Sequence, residues 1–149
     1  MLEVEVFGVE RANAAPPLAE VRRLCDAAAA CAGVRDGHVA IEFVDERRIT
    51  ELNAAHRSRA TPTDVLSFPI DGVDGLDSNG AAAAPGPRKH AGAGSVAREL
   101  GDIVICPQHT ADLREAIVHG MLHLLGMDHE TDGGEMLALQ RLLLRREGR

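Results

Sequence analysis

The hydrophobic period of this chain switches repeatedly between two residues and 3.6, and that switching restricts its fold more than any other feature. Residues 2–9 alternate, with Leu2, Val4 and Val6 set against Glu3, Glu5 and Phe7, which predicts a strand with one buried face. Residues 13–17 break the chain. Over Leu18–Cys31 the apolar positions Leu18, Val21, Leu24, Cys25 and Ala28 recur at helical spacing, and Gly33 ends the helix. Residues 38–44 (HVAIEFV) alternate again. Asp45 then caps a helix, with Glu46 in its first turn and Ile49, Leu52 and Ala55 on one face. Residues 65–68 read as a third strand closed by Pro69, and residues 102–106 (DIVIC) as a fourth stopped by Pro107. A helix over about 110–125 is broken by Gly126. A last helix over about 133–146 turns Met136, Leu139 and Leu143 inward, with Leu142 as a further candidate. The order βαβαββαα predicts one α+β domain over residues 1–149, with one four-stranded mixed sheet, about five helices and two right-handed βαβ crossovers.

Composition limits what such a domain can do. A chain of 149 residues is long enough to bury a sizeable core, and with three Phe, no Tyr and no Trp that core is aliphatic. A broad aromatic platform for stacking bases is excluded. The formal charge of −7 removes a strongly basic overall footprint for nucleic acid, although local basic patches are compatible with it. No run of 18 apolar residues exists and the N-terminus lacks the pattern of a signal peptide, so no membrane association is expected. Cys25, Cys31 and Cys106 form neither an even set nor a CxxC pair, which fits a reducing, cytoplasmic setting; all three read as buried small hydrophobes. Residues of about 70–96, rich in Gly, Ala, Asp and Pro, have no period and read as a loop or insertion.

The chemistry concentrates in residues 119–129, HGMLHLLGMDH. His119 and His123 stand four apart on a helical pattern, so both imidazoles project from one face. Gly126 can turn the chain back at the helix end, which brings His129 to the same point. Three neutral imidazoles and one open position make up a catalytic zinc site, and one Zn2+ per chain is expected. The spacing H-x3-H-x2-G-x2-H equals that of the metzincin proteases, which place a glutamate base directly after the first histidine. Here that position is Gly120. Asp128, Glu130 and Glu135 are the nearest carboxylates, and Asp128 is read either as an acid/base group or as a partner that orients an imidazole.

The same segment resembles the HGxLHLxGxDH signature of the YbeY family, the bacterial rRNA maturation factors. Further blocks agree: Leu52-Asn53 followed by Arg57, then Pro62 to Pro69 (PTDVLSFP) and Leu100 to Cys106 (LGDIVIC). The resemblance runs from about residue 50 to 130 and includes the last helix with Met136, whereas the N-terminal third matches in element order only. It implies an α+β metal-dependent hydrolase that cleaves single-stranded RNA. Its setting would be 3′-end maturation of 16S rRNA in the small subunit and ribosome quality control. It also implies zinc held by His119, His123 and His129, a functional arginine at Arg57, and small-subunit proteins and a ribosome-associated GTPase as partners. A guanidinium fork suits a phosphodiester and the charge developing on it, although without the resemblance Arg57 reads as a solvated helix-end residue. Zinc can polarise a phosphoryl oxygen or lower the pKa of water to about 7. Attack by water and by the RNA 2′-hydroxyl both remain open, and the latter relaxes the need for the absent glutamate. Two other readings stand beside the nuclease: a zinc-dependent peptidase-like hydrolase, and a metal-stabilised ribosome assembly factor without catalysis. His38, His90 and His109 have no ligand-like spacing and read as structural or solvated.

Overall fold

The structure, a computed structural model, describes residues 2–70, 99–128 and 133–147. Four strands, β1 (Leu2–Phe7), β2 (Gly37–Phe43), β3 (Val65–Pro69) and β4 (Glu99–Ile105), form one sheet in the order β1-β2-β4-β3. Among the described residues four α-helices accompany them, where about five helices were expected: α1 (Leu18–Cys31), α2 (Glu46–Arg57), α3 (Leu113–Leu124) and α4 (Glu135–Glu147). Single 3-10 turns occupy Val9–Arg11 and Pro107–His109. The mixed sheet and the βαβαββαα order are as the periodicity predicts. β1 pairs parallel with β2 and β2 with β4, but β3 runs antiparallel to β4. The second expected βαβ crossover is therefore absent: the chain leaving α2 returns on the outer edge of β4, against the direction of β2. Residues 71–98, which hold most of the predicted loop, lie outside the described residues.

β4 is buried along its whole length because both faces of the sheet are covered there. On one face Val39, Ile41, Phe43, Leu100, Ile103 and Ile105 meet Leu24 and Cys25 of α1, Ile117 and Met121 of α3, and Met136 and Leu143 of α4. On the other, Leu66, Phe68, Val104 and Cys106 meet Ile49 and Leu52 of α2. Each fully buried Leu, Ile or Phe side chain contributes roughly 1.5–3 kcal/mol, so an aliphatic core of this extent suffices without Trp or Tyr. Arg114 of α3 forks onto the Glu20 carboxylate of α1, pinning the two helices.

Several sequence boundaries shift for local reasons. α3 begins at Leu113 rather than near 110, because Asp112 is its N-cap and accepts hydrogen bonds from the Arg114 and Glu115 amides. β4 begins at Glu99, where it pairs with His38 of β2. Cys31, expected to be buried, is exposed at the end of α1, whereas Cys25 and Cys106 are buried. Leu142 is 41% exposed and points away from the core that holds Leu143.

Candidate metal centre

α3 carries the site because its two faces are committed differently. Ala116, Ile117, Met121 and Leu124 are buried in the core, and Gly120 lies against β4. A Cβ at position 120 would stand 2.6 Å from Cγ2 of Ile103, so helix and sheet approach too closely for any side chain. Ser67 of β3 closes the same contact by donating to the Gly120 carbonyl at 3.1 Å. A glutamate after the first histidine has no place in this packing. The remaining face presents Glu115, His119 and His123 at successive turns. Glu115, His119 and Gln140 line a cleft of about 360 Å³ whose walls include Asp64, His109 and Leu137.

The two imidazoles approach each other at Nε2, 3.2 Å apart, with ring planes 80° to one another. Each ring is held from its far side. His119 Nδ1 lies 2.8 Å from Oε1 of Gln140, and His123 Nδ1 lies 3.0 Å from the Met127 carbonyl. A carbonyl oxygen only accepts, so each neutral ring keeps its proton on Nδ1 and presents a lone pair at Nε2. Two such lone pairs converge unfavourably unless a cation lies between them. Two nitrogens on one tetrahedral zinc, each about 2.0–2.1 Å away, stand about 3.3 Å apart. The donor atoms, their spacing and their Nδ1 partners fit that ion.

The Met127 carbonyl reaches His123 because of how α3 ends. Gly126 has φ +99°, its amide bonds the His123 carbonyl and the Met127 amide bonds the Leu122 carbonyl, both at 3.0 Å. This pair of bonds is the Schellman arrangement, which needs a residue free to take positive φ. His129, the third predicted ligand, lies outside the described residues. Among the described residues no set of three His, Cys, Asp or Glu side chains forms a metal-holding group. Asp128 is exposed beside Met127, and the Nδ1 atoms of His119 and His123 are partnered by Gln140 and the Met127 carbonyl rather than by Asp128.

Arg57 is placed elsewhere. It is exposed in the last turn of α2, on the opposite face of the sheet, and its guanidinium makes no hydrogen bond or ion pair to a described residue. The ring of its neighbour His56 packs on Phe68 of β3, with centroids 4.5 Å apart. Burial there lowers the His56 pKa, and the adjacent Arg57 charge lowers it further. Phe68 faces α2 while Ser67 faces α3, so Arg57 and the histidine pair flank the edge strand β3 from opposite sides. Asp64 accepts from the Val65 amide at 2.8 Å, which is ordinary turn chemistry before a strand. His38 bridges Glu5 and Glu99, and His109 pairs with Glu46, so both are structural. His90 lies outside the described residues.

Comparison with known proteins settles the lineage. The family model described as Endoribonuclease YbeY matches residues 12–148. The chain belongs to the YbeY family. Among its relatives, the Endoribonuclease YbeY of Alkalilimnicola ehrlichii is 37% identical over 96% of this chain and 84% of its own length. That of Bacillus velezensis is 32% identical over 96% of this chain and 94% of its own. The solution structure of TM1509 from Thermotoga maritima shares the fold, with a TM-score of 0.50 and 22% identity over 95% of this chain and 87% of that one. The YbeY match covers Arg57, His119, His123 and all of α4, and it leaves β1 outside.

Sequence reasoning located the histidines but missed what holds them. Gln140 is a lone polar residue on the inward face of α4, four after Met136 and three before Leu143. That break in an apolar stripe was its signal.

Proposed function

We propose that this protein is a zinc-dependent endoribonuclease that cleaves single-stranded RNA in 3′-end maturation of 16S rRNA and in ribosome quality control. Its relatives carry the endoribonuclease name, and the observation that carries the metal reading is the convergence of two Nε2 atoms with both Nδ1 atoms held. His119 and His123 hold the ion and His129 completes the set. Bound zinc supplies Lewis acidity toward a phosphoryl oxygen. Arg57, exposed and unpaired among the described residues, offers a planar fork to the non-bridging oxygens of a phosphodiester lying across the β3 edge. Asp128, exposed next to the third ligand in sequence, carries a proton to or from the reacting oxygens. A peptidase of the metzincin kind is disfavoured by the packing of Gly120 on Ile103.

With a net charge of −7, capture of RNA rests on local cations such as Arg57 and on partners, namely small-subunit proteins and a ribosome-associated GTPase in the cytoplasm. No helix among the described residues is long and apolar enough to cross a membrane. The test compares cleavage of a single-stranded RNA with that of casein by wild type, His123→Ala and Arg57→Ala. Arg57→Ala keeps zinc and fold while turnover drops about 100-fold, the usual cost of losing one charge-stabilising donor. Arg57→Lys recovers part of it, since an ammonium lacks the fork. Wild-type cleavage by Arg57→Ala, or cleavage of casein in place of RNA, contradicts the proposal.

A further inference from the structure

We infer that Gln140 is a positioning residue for the metal centre, its amide held in one orientation by Glu115 so that His119 keeps its proton on Nδ1 and its lone pair on Nε2. The inference rests on the metal reading above and concerns how the donor is prepared. Gln140 is 5% exposed, and an amide so buried is costly unless both ends are paired. Both are. Oε1 accepts from His119 Nδ1 at 2.8 Å, and Nε2 donates to Oε2 of Glu115 at 3.1 Å. A flipped amide would turn its NH2 toward the Nδ1 proton and its oxygen toward a carboxylate, two repulsive contacts at once. The exposed carboxylate of Glu115 therefore sets the amide, and the amide sets the tautomer of a ring two bonds away. The chain of contacts leaves α3 at Glu115, crosses to α4 and returns to α3 one turn later at His119. His123 reaches the same tautomer by an independent route, the Met127 carbonyl, and so serves as an internal reference.

The test reads imidazole tautomers directly, by long-range proton–nitrogen correlation on metal-free protein at a pH where both rings are neutral. Zinc affinity is measured alongside by competition with a chromogenic chelator. In the wild type both histidines carry Nδ1–H. In Gln140→Leu, His119 shifts to Nε2–H while His123 does not, and zinc affinity falls about 10–100-fold, the range for lost ligand-orienting partners. The exchange Gln140→Glu with Glu115→Gln restores an acceptor toward His119 and a matched pair behind it, and both readouts return to wild type. Glu115→Ala, which leaves the core untouched, gives mixed His119 tautomers and covers the case in which Gln140→Leu does not fold. An unchanged His119 tautomer in these variants overturns the inference, as does an equal shift of His123, which marks a general disturbance of α3. A wild type with both tautomers as stated but no zinc uptake overturns the metal reading instead.

Discussion

At φ +99° Gly126 holds a conformation that residues with a Cβ rarely adopt, although nothing stands within 4 Å of where a Cβ would be. Any penalty for substitution there is conformational rather than steric. The turn it makes presents the Met127 carbonyl to His123, so the glycine acts on a predicted ligand without being one. Gly126→Val is expected to cost about 1–3 kcal/mol through backbone strain and to weaken zinc binding at least 10-fold, although it removes no ligand. Gly126→Asn, which tolerates positive φ better, has the smaller effect on both. Thermal melting and chelator competition measure these changes; equal, wild-type behaviour of the two variants places the control of His123 elsewhere.

Among the elements, β1, β2 and β4 are tied at one end by His38, which lies 2.9 Å from Glu5 on β1 and 2.9 Å from Glu99 on β4. Burial pulls the His38 pKa down, but hydrogen bonds to Glu99 and Glu5 and their charges outweigh it, and the net shift is upward. A histidine raised in the folded state adds stability that is complete below its unfolded pKa of about 6.5 and is lost as pH rises through the folded value. Wild type should therefore exceed His38→Gln in melting temperature at about pH 6 by more than at about pH 8. A gap that does not change with pH contradicts the pairing. Element order and most boundaries were legible because the periods of β1, α1, β2 and α2 are clean. The direction of β3 was not: five residues carry no sign of polarity, and its partner β4 begins only at Glu99, far along the chain. Nor was the hold on His119, since Gln140 sits 21 positions away on another helix and meets it only through packing of α4 on α3.

At the scale of the whole molecule, the sheet separates the two functional groups of the proposal. The histidines ride on the α3 layer and Arg57 on the α2 layer, with edge strand β3 between them. The motif spacing made the convergence of His119 and His123 readable, whereas the placement of Arg57 across β3 depends on strand order and could not be read from its own neighbourhood. An aliphatic core covers both faces of the sheet, so β1–β4 are held together without the predicted metal. Its predicted place is where the two Nε2 lone pairs converge. The most direct measurement is the zinc content of untagged protein after exhaustive dialysis, for wild type and His123→Ala, with circular dichroism to verify the fold. One zinc per chain in the wild type and none in a folded His123→Ala is the predicted result; no zinc in the wild type, or full zinc retained without His123, contradicts the account.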